Sequence, residues 1–336
     1  MAGDQADCRT QCMQMSVESP LVKVVVTSYN RREMLRTAVE SVLTQTYKNI
    51  HVVIVDDAST DGSGELARSL EAVHPGRVTA IVKARNLGLA DSARRGIRCP
   101  PRAELIAMLN EDDRWLPGKL EAQVERFCLD PSLGLVFTEA LICDEVGAFT
   151  GELFSDIVGR FEAGDLPDVL SGNHSCASTH VMRTDIADVV AATLPLSSSQ
   201  VDYYSVLVSA GLARITTVDT PLAIYRNGSG MHNDLASSRR NTTVVRERVF
   251  AALPELAETI GGARAVRRRL AWLTLDLALY SLRDGDFKTW AWQGSRVLRH
   301  RTLKPTIWLI LHSVRLLPTA LRTSLSPGAV DRRHQR

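Results

Sequence analysis

The sequence predicts an α/β fold, a mostly parallel sheet with helices on its faces, extended at its C-terminal end by further helices. Three observations lead there. Short β-branched apolar runs alternate with helical segments, the loops between them are short, and the polar residues that break the pattern gather where the apolar runs end. Strand–helix–strand succession of this kind implies right-handed crossovers that lay helices over the sheet.

Leu21 to Thr27 is β-branched and apolar except for Lys23, the mark of a strand buried on both faces. Met34 to Gln45 sets Leu35, Ala38, Val39, Val42 and Leu43 at helical spacing. His51 to Val55 is a second buried strand ending on Asp56-Asp57, and Asp61-Gly62-Ser63-Gly64 turns the chain into a helix from Glu65 to Val73. Arg77 to Val82 reads as a strand, Asp91 to Ile97 as a helix, and Glu104 to Leu109 as a strand running into Asn110-Glu111-Asp112-Asp113. Beyond about residue 240 the segments Val244 to Ile260, Ala263 to Arg283, Phe287 to Arg299 and Pro305 to Ser324 read as helices. The expected organisation is a disordered leader over 1–19, an α/β domain over 20–240, a helical extension over 241–325 and a disordered tail over 326–336.

Composition narrows the function classes. A chain of 336 residues that is 45% hydrophobic has enough apolar surface for a core. Its 40 basic and 38 acidic residues nearly cancel, which argues against nucleic-acid binding by bulk charge. No run of about 18 apolar residues is present, and residues 1–20 lack the apolar stretch of a signal peptide. Six cysteines without metal-like pairing (Cys8, Cys12, Cys99, Cys128, Cys143 and Cys176) fit reduced thiols and a cytoplasmic location. From Arg296 onward nine Lys/Arg face a single acid, Asp331, and enclose the apolar segments Ile307 to Leu311 and Leu316-Leu317. Residues 304–325 are therefore a candidate for peripheral contact with the inner face of a membrane. Trp272, Leu275, Leu279 and Leu282, at helical spacing, read instead as a packed helical cap.

Ligands of open α/β sheets bind beyond the carboxyl ends of the strands, where this chain places Tyr29-Asn30, Asp56-Asp57 and Asn110 through Asp113. Acids crowded there repel one another unless a cation or a hydrogen-bonding ligand compensates. Alternate residues of an extended strand end point the same way, so Asn110 and Asp112 are expected to face one ligand. Asp113 reads equally as support for a bound cation or as cap of a helix beginning near Leu116-Pro117. Asp56-Asp57 also reads as turn chemistry.

Val24-Val25-Val26-Thr27-Ser28-Tyr29-Asn30-Arg31, then Ser41 to Tyr47, then Val55-Asp56-Asp57-Ala58-Ser59-Thr60-Asp61-Gly62-Ser63 resemble a family 2 glycosyltransferase of the GT-A fold. Asn86-Leu87-Gly88, Gly96-Ile97, Asn110-Glu111-Asp112-Asp113-Arg114-Trp115 and Lys119-Leu120-Glu121 continue the likeness in order, and it extends over about residues 21–232. The resemblance implies transfer of a sugar, with inversion, from a UDP- or dTDP-sugar to a hydroxyl acceptor, either a lipid-linked glycan of envelope polysaccharide synthesis or a small natural product. It implies donor binding by Thr27, Tyr29, Asn30, Asp57, Arg94, Asn110 and Glu111, a divalent cation (Mg²⁺ or Mn²⁺) held by Asp112 and His232, and Asp202 as catalytic base. Asn173, His174 and Ser178 are implied to line the acceptor pocket. The chemistry suits these roles: a carboxylate at Asp57 can accept the N3–H of a pyrimidine, a hard cation takes oxygen ligands, and an inverting transfer needs a base for the acceptor hydroxyl. Three departures stand out. Asn110 replaces an expected Asp, Val201 replaces the Glu before Asp202, and the arginine of the glycine motif is shifted by one position, so that the expected diphosphate contact falls to Arg94 or Arg95. A nucleotide-sugar-binding protein on a weakened scaffold and a nucleotidyltransferase are the alternatives. The latter wants a glycine-rich phosphate loop with a lysine, which Thr27 to Arg32 does not contain.

Overall fold

The computed structural model describes residues 19–161, 163–164, 166–228, 235–302 and 304–309. The chain divides after residue 230 into two compact units, each with its own core.

In the first unit the strands are β1 (Val22–Ser28), β2 (Ile50–Asp56), β3 (Val78–Val82), β4 (Leu105–Asn110), β5 (Arg114–Trp115), β6 (Leu133–Cys143), β7 (Phe149–Leu153), β8 (Ala163–Gly164), β9 (Val181–Arg183) and β10 (Arg214–Arg226). The helices are α1 (Arg32–Leu43), α2 (Ser63–Val73), α3 (Leu89–Arg98), α4 (Lys119–Leu129), α5 (Phe154–Val158), α6 (Leu166–Val169), α7 (Thr184–Thr193) and α8 (Val201–Leu212). The sheet runs β3-β2-β1-β4-β9-β6-β10-β5, with β7 on β6 and β8 on β10. Strands β1 to β4 are mutually parallel, and β6 is parallel to β10. The short β9 is antiparallel to both β4 and β6, so it joins the two parallel groups with their strands pointing the same way. The carboxyl ends of β1, β2, β4, β6 and β10 thus lie along one edge of the sheet.

The apolar runs form strands because both faces are covered. Val24 and Val26 pack with Leu35, Ala38, Val39 and Val42 of α1, all fully buried. On the opposite face α3 approaches so closely that a Cβ at Gly96 would stand 2.2 Å from Val25 Cγ1. Only glycine permits that distance. The polar intruder in β1, Lys23, has a structural reason. Its ammonium donates to the carbonyls of Ile97 (2.6 Å), Cys99 (2.6 Å) and Pro101 (3.3 Å), closing the C-terminal end of α3 where helix carbonyls lack partners. The sequence reading placed β1 to β4 and α1 to α3 within a few residues. It did not delimit β6 and β10, whose long run is broken by register shifts around Pro221, a residue without a ladder N–H.

The second unit comprises α9 (Leu235–Ala252), a 3-10 turn (Pro254–Ile260), α10 (Gly262–Arg283), α11 (Phe287–Arg299) and a helical turn over 304–309. Leu275, Ala278, Val297 and Leu309 form its core with Trp272, Leu279 and Trp290 against them. Asp286 caps α11 by accepting from Thr289 N (3.0 Å). Helix Val244 to Ile260 of the sequence reading is instead two pieces split at Leu253-Pro254, because proline cannot continue a helix from within. Among the described residues no helix is long and apolar enough to cross a membrane. The leader 1–18, the tail, and residues 310–325 of the segment proposed for membrane contact lie outside the described residues.

Candidate active site

The loops that follow β1, β2 and β4 meet at the sheet edge. β1 lies between the other two, with Ser28 opposite Asp56 and Thr27 opposite Asn110. At an interstrand spacing of about 4.8 Å, residues leaving β2 and β4 are only about 10 Å apart. Asp57 and Asp112 therefore share one lip.

The two aspartates that end β2 do different work. Asp56 is fully buried and its Oδ2 accepts from Ser59 N (3.0 Å), which is the local turn chemistry expected of this segment. Asp57 reaches further. Its Oδ1 accepts from Leu87 N (2.8 Å) and lies 2.6 Å from Lys83 Nζ, and its Oδ2 accepts from Gly88 N (2.8 Å). Lys83 also contacts Asp91 Oδ2 at 3.0 Å, and Arg95 Nε donates to the same oxygen at 2.7 Å. Although burial pushes Asp91 up, hydrogen bonds from Arg95 and Lys83 hold it below the ordinary carboxylate range. Arg95 is thus tied to Asp91, while Arg94 is half-buried on the same helix.

Beside this array stands the β1–α1 loop. Tyr29 is 45% exposed, and Asn30 adopts a left-handed conformation (φ 55°). Asn30 N donates to Ser59 Oγ (2.8 Å) and Asn30 Oδ1 accepts from Thr60 N (2.8 Å), so the loop is fastened to the one after β2. Thr27 is buried, and its hydroxyl donates to Asn110 Oδ1 at 3.4 Å.

At the end of β4 the structure corrects two expectations. The strand stops at Asn110 and residues 111–112 form a turn, so strand alternation does not set Asn110 and Asp112 on one side. Nor does Asp113 cap a helix near Leu116-Pro117: α4 begins at Lys119 after a left-handed Gly118 with no side-chain cap. Asp113 instead accepts from the Ser178 hydroxyl and from Arg226 N (2.9 Å), joining three distant parts of the chain. Glu111 Oε1 accepts from Tyr29 N (3.3 Å) and lies 3.9 Å from Arg31 Nε, while Asp112 pairs with the Arg31 guanidinium. Burial first, and then the Asp112 charge, push Glu111 up to about 7. The same two causes raise Asp113 well above the usual carboxylate range. Glu111, Asp112 and Asp113 bring three consecutive carboxyl groups together, oxygen donors of the kind a hard divalent cation takes. In that sense the residues fit Mg²⁺ or Mn²⁺. Among the described residues no group of three His, Cys, Asp or Glu is arranged around a common cation position, and His232 lies outside them.

On the far side, Asp202 sits in the first turn of α8. Its Oδ2 accepts from Asn173 Nδ2 (2.9 Å) and its Oδ1 from Tyr203 N (2.8 Å), so two residues assigned by resemblance to base and acceptor pocket meet directly. Ser178 belongs to the β4 end, where Asn110 N donates to its hydroxyl (3.1 Å). His174 is turned elsewhere: its ring stacks on Phe161 (5.7 Å between centroids) and lines a cavity of about 30 Å³ with Phe137 and Glu139. Tyr225 ties the two sides together electrostatically. Its phenol is raised by burial and by Cys176, and then by Asp113, Asp202 and Asp112 together.

Two basic side chains are buried near Ser178. Lys119, fully buried, donates to Gln123 Oε1 (2.8 Å) with its ammonium 4.1 Å over the Trp115 ring, and Trp115 Nε1 donates to Ser178 O (2.6 Å). Beside it His180 is fully buried, its Nε2 2.7 Å from Ser175 Oγ. Burial, aided by Lys119, lowers His180 to about 3. An unfolded chain takes up a proton near 6.5 that the folded protein refuses, so this contribution to stability is intact above pH 6.5 and is lost as pH falls toward 3. Denaturant unfolding at pH 7 and pH 5 is expected to show wild type losing about 2 kcal/mol more than His180→Gln over that interval. Equal losses would remove His180 as the source.

Sequence reading gave no role to Arg31, Lys83, Lys119 or Arg226. Lys83 carries a legible signal, a lone lysine closing a β-branched strand, but its partners stand 26 and 8 positions away and nothing local names them.

Comparison with known proteins follows the same outline. Residues 23–175 match the model of the Glycosyl transferase family 2. An uncharacterized glycosyltransferase of Nostoc is 28% identical over 228 residues, 65% of this chain and 68% of its own length. The UDP-Glc:alpha-D-GlcNAc-diphosphoundecaprenol beta-1,3-glucosyltransferase of Escherichia coli is 31% identical over 104 residues, 31% of this chain and 40% of its own length. Beyond the first of these relatives, the chain spans less than half of the curated proteins it matches. Among solved structures, the mannosyltransferase of Pyrobaculum calidifontis, determined with GDP-Man and Mn²⁺, superposes with a TM-score of 0.54 at 16% identity, covering 94% of this chain and 88% of that one. That likeness shows the fold.

Proposed function

We propose, from the match of residues 23–175 to the Glycosyl transferase family 2 model, that this chain is a member of that family and moves a sugar, with inversion, from a UDP- or dTDP-linked donor to a hydroxyl acceptor. The observation that supports this reading best is the shared lip: Asp57 follows β2, Glu111 and Asp112 follow β4, and these two strands flank β1 at one sheet edge, while Asn173 holds Asp202 at the start of α8.

In this reading Asp57, fixed by Leu87 N, Gly88 N and Lys83, offers the remaining lone pair of Oδ2 to the N3–H of a pyrimidine. Thr27, Tyr29 and Asn30 wall the base and ribose, Asn110 and Glu111 border the ribose and diphosphate, and Arg94 faces the diphosphate. Asp112, with His232, would hold Mg²⁺ or Mn²⁺, whose chemistry when bound is to neutralise the leaving nucleoside diphosphate. Asp202, steadied by Asn173, takes the acceptor proton as the hydroxyl attacks the anomeric carbon. The name of the Escherichia coli relative supports a lipid-linked acceptor. Ile307 and Trp308, each 44% exposed and near Arg301 and Lys304 in sequence, suit contact of segment 304–325 with an anionic membrane on the cytoplasmic side. We keep the division into a catalytic domain and a helical extension, but place it after residue 230, where the chain divides, since a boundary at 240 would cut α9.

Thermal stabilisation by a panel of nucleotide sugars, with and without Mn²⁺, tests the donor assignment. A true donor at a hundred times its Kd adds about 2.7 kcal/mol. Asp112→Ala is expected to abolish both the Mn²⁺-dependent part of that stabilisation and Mn²⁺-stimulated donor hydrolysis. A panel in which no nucleotide sugar stabilises wild type overturns the reading. Stabilisation with no hydrolysis and no transfer marks a binding protein instead.

A further inference from the structure

We propose that Arg31 competes with the divalent cation for Asp112 and passes from that carboxylate to the donor's diphosphate when donor and cation arrive. The inference rests on the reading of this site as a metal-assisted nucleotide-sugar site, and it concerns a residue to which that reading gives no part.

Three features of the structure carry it. First, the Arg31 guanidinium pairs with Asp112 and lies 3.9 Å from Glu111, so it supplies positive charge on the two carboxyl groups where the cation is needed. A guanidinium and a divalent cation cannot both stand against the same carboxylate oxygens without repelling each other. Second, the backbone on either side of Arg31 is fixed while its side chain is not enclosed. Asn30 is fastened to Ser59 and Thr60, Arg32 N donates to Asp61 Oδ2 at 2.9 Å, and the Arg31 side chain is 27% exposed. Any movement is therefore confined to the side chain. Third, Arg31 leaves the end of β1, between the strands that carry Asp57 and Asp112. A diphosphate joining a base at Asp57 to a cation at Asp112 must pass this residue. The guanidinium fork that fits a carboxylate also fits a phosphate, so a new partner of the same geometry is at hand when the old one is taken.

Before donor arrives, Arg31 would thus relieve the repulsion among Glu111, Asp112 and Asp113 and lower the affinity of the empty site for free metal. Once cation and donor are bound, it would add a charge-assisted contact to the phosphates. These two effects have opposite signs when Arg31 is neutralised, which separates the proposal from simple damage to the fold.

The test uses the full-length protein, with Mn²⁺ alone followed by electron paramagnetic resonance and UDP binding at saturating Mn²⁺ followed by calorimetry. Arg31→Gln is expected to bind Mn²⁺ alone at least about tenfold more tightly than wild type, and UDP about tenfold more weakly. Arg31→Lys keeps the charge and is expected to stay within about threefold of wild type for Mn²⁺; it serves as the test variant should the glutamine variant not fold, and tightening by tenfold in it would count against competition. Unchanged or weaker Mn²⁺ binding in Arg31→Gln overturns the competition while leaving the metal site standing. Tighter Mn²⁺ with unchanged UDP affinity overturns the transfer to phosphate. If neither wild type nor variant binds Mn²⁺, with or without UDP, the metal site itself falls and the inference with it.

Discussion

Asp202→Asn is expected to lower kcat by about 10²–10⁴-fold with little change in donor affinity. Asparagine preserves shape and can still accept from Asn173, so the start of α8 keeps its geometry. What disappears is the capacity to take a proton. In the proposed role the base acts on the acceptor hydroxyl, so donor binding measured by calorimetry is expected to stay within about twofold and the loss to fall on transfer, not on capture of the nucleotide. An Asp202→Asn protein that transfers sugar at a tenth of the wild-type rate or faster would hand the base to another carboxylate. Glu139 and Asp185 are the alternatives the sequence offers, but Glu139 Oε1 is engaged by Ala140 N and Ser155 N, and both oxygens of Asp185 accept from the Arg183 guanidinium.

The second large effect lies in stability. Lys83 is almost completely enclosed, with its side chain 2% exposed, and it separates Asp57 from Asp91. Lys83→Met fills the same volume yet leaves two carboxylates facing each other across an apolar gap. Removing one partner of a buried ion pair costs about 3–5 kcal/mol, and a unit of this size loses roughly 2–4 °C in Tm per kcal/mol. A fall of about 10 °C is therefore expected, together with loss of nucleotide binding as Asp57 turns or takes a proton. The double variant Lys83→Met, Asp57→Asn removes the stranded charge as well and is expected to regain at least half of the lost stability without regaining nucleotide binding. A single variant as stable as wild type would show the triad to be solvent-compensated.

Much of this architecture was legible because it is periodic. Val24, Val26, Val52 and Ile54 alternate with the residues of the opposite face, and Leu35, Val39 and Val42 repeat at the helical interval, so strand and helix positions followed from spacing alone. The ends of β1, β2 and β4 were legible for the same reason: a polar residue that stops an apolar run marks where the sheet meets solvent. The pairings across that edge were not. Asp57 finds Lys83, Asp112 finds Arg31 and Asp113 finds Ser178 and Arg226 through the closing of the sheet, not through neighbouring sequence. The strand alternation expected to align Asn110 with Asp112 does not reach them, because the strand stops at Asn110 and a turn follows. Lys23 shows the converse: a residue that looks like a blemish in a core strand has its explanation 74 positions later.

The attachment of Asp113 to Ser178 and to the backbone of Arg226 has a consequence for how the protein comes into being. A nascent chain leaving the ribosome can assemble β1 through β4 early, since their contacts are local by the standards of this topology. It cannot anchor Asp113 until residue 226 has emerged. Synthesis therefore delivers a folded sheet edge before its polar bridges are complete, and a chain cut short before that arginine would leave the buried Asp113 carboxyl without its backbone donor from residue 226.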